Sequence, residues 1–245
     1  MYPTWSLYKQ EVVTPMWNWI FRYLVLGPLI RHRVHATVTG VENLPRKGPY
    51  ILAMGSHKTE LESAVVSSWL RERTLHFYAK AEYWQKGRVL RWFMNTIGQI
   101  PVERGDARKA LAAIKDGADL LRRGGVLAVY PEGTRSPDDR LHGAYPGTVR
   151  TLIDAGGDMP IVPVGLIGME AVSPTGGGLW PNRASVTVVI GKPIYLTPKE
   201  RWALAHGRKL AVGVVTQRVS REMMRAIAEL CGKEYVDKRL PIPNH

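Results

Sequence analysis

The sequence has one cysteine, three phenylalanines, few acidic residues and no long apolar run. Cys231 alone can form neither an internal disulfide nor a cysteine-rich zinc site. The longest apolar stretch, 16–30, is shorter than the roughly 20 residues a membrane span needs. Arg22 sits in its middle, Gly27-Pro28 interrupts it, and it lacks the basic opening and small-residue cleavage site of a secretory signal. Repeats, low-complexity tracts and long linkers are missing too, so the 245 residues can close around a sizeable core. The shortage of acid is the most informative. Asp and Glu total 21 against 34 Lys and Arg, a formal charge of +13. That balance calls for an anionic partner: a nucleic acid, an anionic membrane surface or a phosphorylated substrate. The expected strands carry no recognised nucleic-acid motif and no aromatic-basic stacking platform, so no nucleic acid is expected.

Tryptophan, by contrast, is plentiful, and its placement is informative. Trp5, Trp17 and Trp19 join Phe21 and Tyr23 in one N-terminal stretch. Such a helix can lie in the membrane interface with its aromatic rings at headgroup level. A helix packed on the core is the competing reading. The chain therefore divides into an amphipathic, membrane-associating helical segment over 1–33 and one domain over 34–245. Within that domain short apolar runs predict strands over 34–41, 50–54, 74–79, 98–102, 125–130, 161–167 and 184–194. Stretches with 3.6-residue periodicity predict helices over 60–71, 83–96, 107–123, 147–155 and 210–230. Runs such as Ile51-Leu-Ala-Met54 do not alternate, as expected where both faces of a sheet are covered. The order implies an α/β fold with a mixed, partly parallel sheet flanked by helices.

Polar residues able to do chemistry recur just past the carboxyl ends of apolar strands, where open α/β sheets gather their ligand sites. Ser56-His57 follows one strand, Glu103-Arg104 a second and Pro131-Glu132-Gly133-Thr134-Arg135 a third. A helix beginning near Thr59 would bring Glu62 back to His57. A carboxylate on one ring nitrogen fixes the tautomer and frees the other nitrogen to act as a base. No serine or cysteine nearby has a nucleophile-elbow pattern, so the attacking group is expected to come from the substrate. Read without more context, His57 and Glu62 are also compatible with a surface pair. The Glu132–Arg135 run is likewise compatible with an ordinary glycine turn, and Arg104 with a solvated charge.

Taken together, these residues resemble the glycerolipid acyltransferases typified by lysophosphatidate (1-acyl-glycerol-3-phosphate) acyltransferase. Four blocks appear in that family's order: Ser56-His57-Lys-Thr-Glu-Leu-Glu62, Gly98-Gln-Ile-Pro-Val-Glu-Arg104, Tyr130-Pro-Glu-Gly-Thr-Arg-Ser136 and Ile161-Val-Pro-Val-Gly165. Gly40-Val-Glu-Asn-Leu-Pro-Arg-Lys-Gly48 and Lys80-Ala-Glu-Tyr83 are similar too, and the resemblance runs over about 34–195. One departure stands out: Glu62 occupies the place of the family's aspartate. The resemblance implies transfer of an acyl chain from acyl-CoA or acyl carrier protein to the hydroxyl of a lysophospholipid, with no metal and no bound cofactor. His57 would be the general base, Glu62 its orienting partner and the Gly133 amide the oxyanion donor. Arg104, Glu132, Thr134, Arg135 and Lys80 would form the substrate pocket, the arginines meeting the phosphate. Peripheral or monotopic attachment at the cytoplasmic face of an anionic membrane is expected. Glycerol-3-phosphate, another lysophospholipid or a mannosylated inositol glycolipid are alternative acceptors, and a catalytically silent membrane-binding member is the other alternative.

Overall fold

A computed structural model describes residues 20, 24–59, 61–103, 107–173, 180–207 and 209–241. Trp5, Trp17, Trp19, Phe21, Arg22 and Tyr23 of the expected interfacial segment lie outside the described residues, as do Glu60 and Arg104. Helix α1 (Leu26–Arg33) runs directly into β1 (Val34–Thr39), followed by β2 (Tyr50–Gly55), α2 (Glu62–Trp69) and β3 (Leu75–Lys80). Next come α3 (Arg88–Thr96), β4 (Ile100–Val102), α4 (Ala107–Arg122), β5 (Val126–Val129), β6 (Leu141–His142), α5 (Gly147–Asp154) and β7 (Ile161–Ile167). The chain ends with β8 (Ala184–Ile190), α6 (Pro198–Ala205), α7 (Lys209–Cys231) and β9 (Tyr235–Val236).

Seven strands form one sheet in the order β1-β8-β7-β2-β5-β3-β4. Strands β7, β2, β5, β3 and β4 are mutually parallel, whereas β8 runs antiparallel to β7 and carries β1 parallel to itself. The sheet is thus mixed and mostly parallel. Its centre is apolar on both faces, which is why β2 does not alternate. Ile51 and Ala53 enter the core beneath α4, α5 and α7, while Tyr50, Leu52 and Met54 enter the opposite core with α1 and α2. The 3.6-residue periodicity of the last long helix places Val215, Val219, Met223 and Ile227 in the first of these cores. Complete burial of each such side chain contributes about 1.5–3 kcal/mol.

Four expectations need correction. The helix foreseen over 83–96 is broken by Gly87, at φ 121, into a 3₁₀ turn (Ala81–Trp84) and α3. The last main strand stops at Ile190 instead of 194, with Ile194 kept by a single bridge to Ile161. Helix α2 starts at Glu62 itself, so this carboxylate lies in the first turn rather than a turn further on. Helix α6 was not foreseen, although Thr197 accepts from Glu200 N–H and Glu200 returns to Thr197 N–H, a complete capping box.

Candidate active site

Because β2, β5, β3 and β4 are parallel neighbours, their carboxyl ends open on one edge of the sheet. The chain leaving β2 carries Ser56 and His57, that leaving β5 carries 130–136, and Lys80 ends β3. Three clusters far apart in sequence thereby share one rim.

The histidine is held by a short bond. His57 Nδ1 lies 2.6 Å from Glu62 Oε2, with the imidazole side chain 16% and the carboxylate 0% exposed. A carboxylate only accepts, so Nδ1 carries the proton and the neutral ring keeps its lone pair on Nε2. The other oxygen, Glu62 Oε1, accepts from Lys58 N–H at 2.6 Å and Thr59 N–H at 2.8 Å. Both oxygens are thus engaged, and the N-terminus of α2 adds a favourable dipole.

The β5 loop closes over the pair. The Tyr130 ring stacks on His57 with centroids 4.0 Å apart and planes inclined by 21°. Ser136 N–H donates to His57 carbonyl at 3.0 Å, fastening one loop to the other. Glu132, 2% exposed, accepts from Ser136 Oγ at 2.9 and 3.0 Å and from His142 N–H at 2.8 Å. Burial pushes its carboxyl above the ordinary value, against the pull of His142 N–H, the Ser136 hydroxyl and the His142 and His57 rings. Glu132 is therefore an internal strut of the loop. Asp138 supports the same loop through His142 Nε2 at 3.0 Å and through Arg140, and these hydrogen bonds hold its carboxyl below the usual range.

Gly133 differs from expectation. Its N–H, read as an oxyanion donor, is already donated to Tyr130 carbonyl at 3.0 Å. The glycine is needed for another reason: φ is +68, and a Cβ there would sit 3.0 Å from the Tyr145 ring. Thr134 and Arg135 continue the same turn half-buried, and Lys80 is half-buried at the end of β3. Arg104 lies outside the described residues, two past the end of β4. Tyr130, Ser136 and His142 were not read as site residues, although the first two were quoted in the third sequence block. Their contacts depend on how β5 sits beside β2, which no local pattern encodes. A groove of about 550 Å³ along Arg218, Arg221 and Arg225 of α7 contains none of these groups.

Comparison with known proteins brings this geometry together with a family. The family model described as Acyltransferase matches residues 35–167, more than half of the chain. A chloroplastic 1-acyl-sn-glycerol-3-phosphate acyltransferase of Brassica napus is 30% identical over 158 residues, 64% of this chain and 44% of that protein. The chain thus spans less than half the length of this plant relative. A 1-acyl-sn-glycerol-3-phosphate acyltransferase of Bacillus subtilis is 25% identical over 168 residues, 66% of this chain and 78% of its own. The crystal structure of a 1-acyl-sn-glycerophosphate acyltransferase from Thermotoga maritima shares the fold, with TM-score 0.57 and 22% identity over 82% of this chain and 80% of that one.

Proposed function

The chain belongs to the acyltransferase family, and from that premise we propose that it moves an acyl chain from a thioester to the free hydroxyl of lysophosphatidate, giving phosphatidate. The observation that carries the reading is the His57–Glu62 pair, with Nδ1 bonded to a buried carboxylate and Nε2 left as the basic nitrogen. Relatives named for acylation of 1-acyl-glycerol-3-phosphate support the choice of acceptor.

In this mechanism Nε2 takes the acceptor's hydroxyl proton as the oxygen attacks the thioester carbonyl. Collapse of the tetrahedral intermediate breaks the C–S bond, and the imidazolium returns the proton to the departing thiolate. Glu62 stabilises the imidazolium while it exists. No acyl-enzyme forms, because the acceptor itself is the nucleophile. Arg135, Lys80 and Arg104 meet the phosphate, Thr134 lies on the same rim, and Glu132 keeps their loop in shape. The Gly133 N–H, the expected oxyanion donor, is donated to Tyr130 carbonyl in this structure. Acyl-CoA or acyl carrier protein is the donor.

The segment 1–33 and the surplus of basic charge hold the domain peripherally or monotopically on the cytoplasmic face of an anionic membrane, each nearby Lys or Arg contributing about 1 kcal/mol. Among the described residues no helix is long and apolar enough to cross a bilayer. The test is thiol release from palmitoyl-CoA in detergent or vesicles, with and without lysophosphatidate, for wild type and His57→Ala. Release that requires lysophosphatidate and disappears in His57→Ala is expected. No release from either palmitoyl-CoA or palmitoyl-carrier protein would overturn the proposal.

A further inference from the structure

We infer that Tyr130 is a positioning residue for the His57–Glu62 pair, holding the imidazole by its ring face and, through Ser63, the first turn of α2 by its hydroxyl. The inference deepens the acyl-transfer reading and rests on it for its kinetic consequences, though not for its spectroscopic one.

The placement follows from strand register. β5 pairs with β2 through Tyr50↔Val126 to Ala53↔Val129, so the residue leaving β5 stands beside the chain that leads to His57. That residue is Tyr130. Its ring lies 4.0 Å from the imidazole, centroid to centroid, and within 21° of parallel. A ring so covered on one face has little freedom to turn about its Cβ–Cγ bond. Such turning would carry Nε2 off the line of attack, and a misplacement of about 1 Å can cost on the order of a hundredfold in rate. The aromatic face also attracts the imidazolium more than the neutral ring, favouring the state that forms as the hydroxyl proton is removed.

The hydroxyl points the same way. It lies 3.4 Å from Ser63 Oγ, next to Glu62 in the first turn of α2, and so ties that turn to the chain leaving β5. Burial, with the Glu62 charge beside it, holds the phenol far above its ordinary pKa, so it remains a neutral donor. Glu62 is held by the imidazole and by two backbone N–H groups, and its neighbour Ser63 by the Tyr130 hydroxyl. A phenylalanine here would supply the stacked face alone. An aliphatic side chain would supply neither contact.

Three variants separate these roles. Tyr130→Phe keeps the ring, Tyr130→Leu removes it, and Tyr130→Met fills the space with a flexible chain should the leucine variant fail to fold. Steady-state thiol release is expected to show kcat lowered about 3- to 10-fold in Tyr130→Phe and about 30- to 100-fold in Tyr130→Leu and Tyr130→Met. KM for lysophosphatidate should stay within about twofold throughout, because no phosphate contact changes. Independently of turnover, proton NMR of the wild type should show a downfield signal from the Nδ1–H shared with Glu62, identified by its absence in His57→Ala. The signal should persist in Tyr130→Phe and broaden or vanish in Tyr130→Leu and Tyr130→Met. A folded leucine or methionine variant with kcat within threefold of wild type and this signal intact would overturn the inference. So would a loss confined to KM. If the wild type turns over no thioester, the acyl-transfer proposal fails, while the NMR comparison still decides whether Tyr130 holds the pair.

Discussion

Replacing Glu62 by glutamine or by alanine separates what this side chain does for chemistry from what it does for the fold. In Glu62→Gln the length is kept. The carbonyl oxygen of the new amide must take the place of Oε1, because an NH₂ there would face the N–H groups of Lys58 and Thr59. The NH₂ is then turned toward His57 Nδ1, which has to accept, and the ring proton moves to Nε2. The nitrogen proposed to act as base is blocked. The same change at the orienting carboxylate of a Ser-His-Asp triad lowers kcat about 10⁴-fold. A loss of about 10³–10⁴, or roughly 4–5.5 kcal/mol of transition-state stabilisation, is expected here. Stability should barely change, since both accepted N–H bonds survive. Glu62→Ala strands those two N–H groups, of which Thr59 belongs to a residue only 3% exposed. At about 1–3 kcal/mol for each orphaned donor, the cost is roughly 2–6 kcal/mol. At about 2–4 °C per kcal/mol for a chain this long, Tm should fall by roughly 4–24 °C. Thiol release from palmitoyl-CoA and differential scanning fluorimetry read the two effects. If Glu62→Gln keeps more than a tenth of wild-type kcat, or melts as early as Glu62→Ala, the assignment of the two oxygens is wrong.

Two further outcomes follow from packing and from ionisation. A Cβ added at Gly165 would lie 2.8 Å from the Leu230 carbonyl carbon and Cβ and 3.0 Å from its carbonyl oxygen, backbone that cannot swing aside. Gly165→Ala should therefore cost about 1–3 kcal/mol by forcing α7 off the sheet. Gly147→Ala, where a Cβ meets nothing within 4 Å, should leave Tm unchanged or raised, and equal losses at both sites would refute the close-approach explanation. At Glu132 burial raises the folded-state pKa, so the stability this carboxyl contributes is complete below its unfolded value and is lost as pH rises through the folded one. Glu132→Gln has no such loss. Its Tm relative to wild type should climb from pH 4 to pH 8, and a flat or falling difference would contradict the sign.

The strands were legible because a sheet covered on both faces writes itself as unbroken apolar runs, as in Ile51-Leu-Ala-Met54. Their parallel arrangement then brings the Ser56-His57 and 131–135 clusters to one rim, as the order of elements implied, while Arg104 of the third cluster lies outside the described residues. Bonds that depend on where one loop meets another were not legible. Nothing in Tyr130-Pro-Glu-Gly-Thr says that Tyr130 carbonyl takes the Gly133 N–H, or that the tyrosine ring will lie on His57. Strands of two residues, β6 and β9, have no periodicity to detect. The helix over Pro198–Ala205 is a different case, since Thr197-Pro-Lys-Glu200 is a start signal that pattern reading can find. It was hidden by weak amphipathicity: none of its residues is buried, so no apolar stripe marks it.

The part of the chain beyond the family match, which ends at residue 167, is not merely appended to the site. Gly55 and Gly165 are paired across β2 and β7, and a Cβ on Gly55 would lie 2.7 Å from Ile227, as one on Gly165 would collide with Leu230. Two adjacent glycines thus let the last turns of α7 press onto the sheet just where β2 gives way to Ser56 and His57. Cys231 then donates its thiol to Gly55 carbonyl at 3.2 Å, and Lys233 Nζ reaches Ser56 Oγ at 3.4 Å and Asp139 at 2.5 Å. Beyond it, β9 pairs with β6, whose His142 N–H holds Glu132. Both loops that build the His57 environment are therefore tied at their backs to residues 231–240, and tightly packed glycines fix the distance. That coupling gives close packing far from the loops a route to the proposed chemistry: whatever lifts α7 should loosen the supports of His57 and Glu132 together.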